Sequence, residues 1–317
     1  MRAALIPREF LPCNACEFRG FYRKILFRQF HAVPNAEDVF KLGQSPCPKG
    51  PFAFIFAQDD IELTHTVAHH IKLGFRQTVV LADIPFTRPE DLPAEVAFIA
   101  RAAKSSSDIS QEMNAIISAL PQQWIYCGYN GEYLFYPFCE SRSIGEIIAF
   151  NTEERRKTIP TTVVDLYAGH LGHSPHGVDV TNAYFDRLGY YAETRQDAEH
   201  RPLEQQLNIY GGLRWRFEEH VPWHKRRIDR VALFQSLRGL KFQPDFTFNL
   251  PEFNTISCPW HHNLTASVCS FRAAKALRHN PGSRHAISSF HWPGSEQFKW
   301  HSQQLMDLGF MEPGQWF

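Results

Sequence analysis

Neither sign of charge dominates this chain: lysine plus arginine and aspartate plus glutamate number 33 each. Such a balance creates no global field that would recruit nucleic acid or an acidic polymer, so no nucleic-acid partner is expected. Long hydrophobic runs are missing too. No stretch approaches the roughly 20 apolar residues of a membrane span. The start lacks a basic segment followed by an apolar run and a small-residue cleavage site, so no signal peptide is expected. Cysteine is sparse and irregular, with 7 in 317 residues, which fits no disulfide framework and points to a reduced, cytoplasmic setting. Cys13 and Cys16 form a lone CxxC with no second pair at metal-ligand spacing. Also absent are a Gly-rich phosphate loop and a Ser-His-Asp spacing, which removes the commonest nucleotide-hydrolase and acyl-transfer readings.

What is present is an ordinary globular composition, 44% hydrophobic and 21% charged, with 27 phenylalanines and 16 histidines. Residues 1–48 read as an N-terminal extension and 49–317 as one α/β domain. Within the extension, EFRGFYRKILFRQF (Glu17 to Phe30) mixes Arg19, Arg23, Lys24 and Arg28 with aromatics. It reads either as a basic amphipathic helix making peripheral contact with the inner face of a membrane or as a helix packing its rings on the main domain.

After Pro51 the pattern sharpens. FAFIFA (Phe52 to Ala57) is a short apolar strand, and QDDIELTHTVAHHIKLGF is a helix carrying Leu63, Val67 and Ile71 on one face. Asp59 and Asp60 fall in its first turn, where the helix dipole favours negative charge. TVVLAD (Thr78 to Asp83) is a second strand, and strand–helix–strand of this length implies a parallel sheet. AEVAFIARAAK and SSSDISQEMNAIISAL read as helices, WIYCGY (Trp124 to Tyr129) and TTVVDLY (Thr161 to Tyr167) as buried strands. Residues 168–207 read as a long loop, and SEQFKWHSQQLMDLGF as a terminal helix. His170, His173 and His176 recur at spacing three, but Gly172, Pro175 and Gly177 make their segment a loop that does not converge them on a metal.

Several of these blocks share an order. Gln58-Asp59, then His69-His70-Ile71-Lys72-Leu73-Gly74, then Val79-Val80-Leu81, resembles the opening of bacterial family-2-like glycosyltransferases. Trp124 to Tyr129 resembles their strand leading into an Asp-x-Asp turn. Val164-Asp165-Leu166-Tyr167, Tyr184-Phe185-Asp186, Gly211-Gly212-Leu213-Arg214-Trp215-Arg216 and Lys225 follow in the order of similar signatures, across roughly residues 50–300.

The resemblance implies a single nucleotide-sugar-binding domain of GT-A-like, Rossmann-like type with a mixed, mostly parallel central sheet. It implies a glycosyltransferase that takes a nucleotide-sugar donor and a glycan or lipid-linked acceptor in surface-polysaccharide synthesis. Gln58 and Asp59 stand for an Asn-Glu pair, and Asp83 lies one place beyond the aspartate ending the second strand. The divalent cofactor implied is manganese or magnesium, yet Tyr129 and Gly131 occupy the places of its two aspartates. Tyr and Gly offer no carboxylate to such a cation. Three readings follow. Arg214, Arg216 and Lys225 replace the metal on the diphosphate; histidines build another metal set; or the donor site is silent and the chain binds glycan or partner proteins. His261 or His262, with His291 downstream, matches the region where the family sets a histidine near the phosphates. Glu132 and Asp165, each at a strand end, are the candidate bases for inverting transfer, Glu132 first.

Overall fold

A computed structural model describes residues 50–83, 85–101, 106–256 and 263–316. The Glu17 to Phe30 segment, the Cys13/Cys16 pair, His261 and His262 lie outside the described residues. β1 (Phe52–Ala57) is buried at every position, because its alternating side chains feed two cores. Ala53, Ile55 and Ala57 join one cluster, while Phe52, Phe54 and Phe56 join the other. A strand covered on both faces reads as an unbroken apolar run.

Helix α1 (Leu63–Lys72) supplies Leu63 and Val67 to the first face. β2 (Gln77–Asp83) and β3 (Ala97–Arg101) follow, both parallel to β1. α2 (Ser106–Ala119) then covers the opposite face with Ile109, Met113, Ile116 and Ile117, one stripe at helical spacing. β4 (Trp124–Tyr129) lies on the other side of β1, again parallel. Strand order therefore runs outward from β1 through β2 to β3, then reverses to β4. Open α/β sheets form their binding crevice at such a reversal, beyond the carboxyl ends of the strands.

The chain continues through β5 (Glu132–Phe135), α3 (Ile144–Glu153) and the long β6 (Thr158–Ala168). β7 (Ala183–Asp186), β8 (Tyr191–Gln196) and β9 (Pro202–Tyr210) precede the short α4 (Gly212–Arg216). β10 (Asp229–Gln235), β11 (Ala266–Ser270), α5 (Arg272–His279), β12 (Ser295–Gln297) and α6 (Ser302–Asp307) complete it. β10 runs antiparallel between β4 and β6, while β11 pairs parallel with β6 and antiparallel with β5. In the 10-stranded sheet β5, β7 and β10 run against the remaining strands, so it is mixed and mostly parallel. The described residues form one α/β domain, and among them no helix is long and apolar enough to cross a membrane.

Four local expectations are corrected. The AEVAFIARAAK segment is the edge strand β3, not a helix: backbone pairing with β2 and the Arg101–Asp83 ion pair at 2.8 Å outweigh its alanine content. The stretch 168–207 is not loop throughout, since β7 extends the sheet and β8 pairs with β9 as a separate ribbon. The terminal helix is confined to Ser302–Asp307, because Phe298 and Trp300 pack into the core around Phe135 and Phe185. Finally, α1 starts at Leu63 after a left-handed Glu62 (φ 61), so Gln58 to Asp60 are loop and Asp59 is not in a first helical turn.

His69 and His70 both bond carbonyls, Leu134 O and Thr66 O, at 2.7 Å. His70 also stacks on Tyr126 with ring centroids 4.6 Å apart, and Tyr126 in turn lies over Gly128, where a β-carbon would collide with its hydroxyl. Burial lowers the His70 imidazole to about 3 and that of His69 to about 4. A histidine whose folded pKa lies below its unfolded value near 6.5 is protonated more readily in the unfolded chain. Its stabilisation is complete above about pH 6.5 and declines as pH falls towards its folded value. Stability should therefore drop between pH 6.5 and 4, with each histidine contributing about 1.4 kcal/mol per pH unit. Denaturant titrations across that range should show a shallower slope for His70→Phe; an unchanged slope would remove His70 from the account.

Candidate functional site

At the carboxyl ends of β1 and β4 a cleft of ≈ 810 Å³ opens, bounded by the start of β10, the 221–225 segment and one face of α5. Its floor is built around the turn between β4 and β5. Asn130 accepts from Gln58 N through Oδ1 at 3.2 Å and donates to Asp59 Oδ1 at 2.6 Å and to Ile61 O at 2.9 Å. One side chain thus fixes the loop after β1 to the end of β4. Gly131 follows with φ +76, a conformation that suits glycine and turns the chain out of β4 into β5. Lys275 reaches down from α5 to Asp59, with Nζ 2.9 and 3.1 Å from the two carboxylate oxygens. Burial lowers the Lys275 ammonium and Asp59 counters that shift.

Beneath this floor Glu132, at 0% exposure, takes a bidentate pair from Arg230 at 3.2 and 2.6 Å. Ser270 Oγ and Tyr129 N donate to it as well, each at 3.0 Å. Burial alone would raise this carboxyl, but Arg230, Arg272 and those bonds hold it down at about 2. On the cleft wall the Arg272 guanidinium lies 3.4 Å from the centre of the Tyr129 ring. Asp229 organises the opposite wall, accepting from Arg227 at 2.6 Å and from Arg195 of the ribbon at 2.5 Å.

Of the residues that the sequence nominates, Gln58, Asp59, Tyr129, Arg214 and Lys225 line this cleft. Four others do not. Glu132 lies behind Arg230, and Asp165 is buried against Arg214, whose Nε is 3.2 Å away. Burial raises the Asp165 carboxyl, with Arg214 opposing. Arg216 is committed to Asp186 at 3.0 Å and to Phe290 O at 2.6 Å, in a buried cluster that Tyr167 and Trp292 share. Asp83 pairs with Arg101 at the end of β2. His291 packs on Tyr184 away from the cleft, and among the described residues no group of three His, Cys, Asp or Glu is placed to hold a metal.

The geometry argues against two chemical roles read from the sequence. A proton acceptor needs an accessible lone pair, and Glu132 has none, because Arg230, Ser270 and Tyr129 N occupy both its oxygens away from solvent. Arg216 has its donors engaged away from the cleft, so it does not reach a cleft-bound phosphate. Conversely, Asn130, Arg230, Arg272 and Lys275 escape the sequence reading although they shape the site. For α5 a signal existed: Arg272, Lys275, Ala276 and His279 recur at intervals of three and four, and all of them line the cleft. For Arg230, on an apolar strand, there was none.

A buried pair that loses one member leaves an uncompensated charge. Glu132→Gln should therefore destabilise the fold by about 3–5 kcal/mol, and Glu132→Gln with Arg230→Met should recover much of the loss. Because the folded carboxyl sits below its ordinary value near 4.3, its stabilisation is full above that value and disappears as pH falls through about 2. Urea denaturation of both variants measures this, and a Glu132→Gln protein as stable as wild type would refute the structural role. Compared with known proteins, the chain matches no family model, and no curated protein matches it as a relative.

Proposed function

We propose that the protein is a glycosyltransferase moving a sugar from a nucleotide-sugar donor to a cell-surface glycan or its precursor, with no metal at the strand-end turn. The observation that carries this reading is the cleft's position and lining. It opens where strand order reverses, and Gln58, Asp59, Tyr129, Arg214 and Lys225 meet there. A donor diphosphate needs its negative charge offset as the leaving group departs. Cations along the wall supply that without a cation held by carboxylates.

The proton acceptor in this reading is Asp245. Its side chain is 46% exposed at the cleft, against 3% for Asp229, whose oxygens are saturated by Arg195, Arg227 and Ile209 N. Burial would raise the Asp245 carboxyl, but Thr247 and Arg227 hold it low, so it is ionised and ready to accept at neutral pH. Asp245→Asn should lower turnover about a hundredfold or more while leaving donor affinity nearly unchanged. Equal turnover of the variant would move the base elsewhere.

A second reading has its own support. Both strand-end carboxylates nominated for catalysis, Glu132 and Asp165, are locked in buried pairs, which suits a silent relative that binds glycan or partner proteins. Calorimetric titration with UDP-, GDP-, CMP- and dTDP-sugars, first in EDTA and then in excess manganese, separates the two. The transferase reading expects one donor to bind in EDTA and manganese to add nothing. Binding that requires manganese would mean a rebuilt metal site, and no binding in either buffer would favour the silent scaffold.

A further inference from the structure

We infer that Arg272, laid flat on Tyr129, is a preformed clamp for a diphosphate at the cleft floor. This deepens the proposed donor site, and its first support is an inventory of charge. Arg214, Arg227, Arg230 and Lys275 each face the cleft with a carboxylate already in contact: Asp165, Asp229, Glu132 and Asp59. Among the described residues no carboxylate pairs with Arg272 or with Lys225. Arg227 also meets Asp245 and Asp229 also meets Arg195, so these two arginines and two aspartates cancel, and Arg272 and Lys225 remain as the surplus cations facing the cleft, matching the two charges of a diphosphate diester.

Geometry selects Arg272 as the anchoring one. A guanidinium has five N–H donors in its plane and none on its face. The Tyr129 ring, 3.4 Å away, covers the face and leaves the edge donors available. Tyr129 is itself packed between Phe56 and Phe246, with ring centroids at 5.9 and 6.0 Å, so the platform does not turn. Planar bidentate donation is the geometry that suits phosphate oxygens. Arg272 opens α5, where the helix dipole adds positive potential, and Lys275 stands one turn further along the same face. On this inference Tyr129 is not a vacated metal ligand. It orients the cation that does the metal's electrostatic work.

The probe is inorganic pyrophosphate, titrated calorimetrically into the full chain in EDTA at constant ionic strength. Wild type should bind it. Arg272→Gln should weaken binding about tenfold or more, Arg272→Lys less, since it keeps the charge and loses the fork. Tyr129→Phe should retain most of the affinity by keeping the ring, whereas Tyr129→Leu should lose several-fold. Thermal melts check folding, and if Arg272→Gln does not fold, the ordering of Arg272→Lys and the two Tyr129 variants carries the test. Wild type that ignores pyrophosphate, or variants that bind like wild type, would overturn the clamp. The two proposals fail separately. Arg272-dependent pyrophosphate binding with no nucleotide-sugar binding removes the transferase and keeps the clamp. Nucleotide-sugar binding indifferent to Arg272 does the reverse.

Discussion

Glu132 keeps its charge with no exposure to water, and the cleft depends on how that is achieved. An ionised carboxylate buried without partners costs many kcal/mol, so the donors around it are not optional. They come from Tyr129 at the end of β4, Arg230 on β10 and Ser270 on β11. One side chain thereby fixes the junction of the parallel half of the sheet, its antiparallel insert and the short β5. Everything on the cleft floor inherits its position from that junction. The Tyr129 ring faces Arg272 because its backbone N–H is held by Glu132. Asn130 reaches the loop after β1 because Gly131 turns the chain immediately behind it.

The parallel half of the fold was legible in the sequence, since β1, β2 and β4 are buried on both faces and read as unbroken apolar runs. β3 was not, because at the edge of the sheet its pairing with β2 outweighs an alanine-rich composition. In the ribbon, β8 is exposed and polar and has no apolar run to mark it, while β9 carries only the scattered Leu203, Leu207 and Ile209. In the site, residue types pointed to the right strand ends but not to the partners. Arg214, Arg216 and Arg272 look equivalent as letters. Only the fold decides that Asp165 and Asp186 claim the first two while an aromatic ring receives the third.

That distinction changes what the missing aspartates mean. Carboxylates placed at residues 129 and 131 would sit close to Arg272, Lys275 and the buried Glu132, and would neutralise the cations that face the cleft. Tyrosine and glycine there leave the positive charge uncancelled. The turn is therefore consistent with its surroundings as an anion-facing surface, and carboxylates at both positions would work against it.

The two surplus cations differ in what they must give up to meet a ligand. Lys225 sits at the end of a 3-10 turn on the cleft rim, whose nearest tie is Arg226 bonding back to Val221 O and Glu218. Its long exposed side chain must lose rotamer freedom on contact. Arg272 has already lost that freedom, because the Tyr129 ring holds its plane and Phe56 and Phe246 hold the ring. Ordering costs met during folding are not met again on binding, so the same charge yields more affinity from a fixed arginine than from a free lysine. The buried carboxylate, the aromatic platform and the arginine thus act in sequence: the first fixes the backbone, the second fixes the plane, and the third presents donors that need no rearrangement.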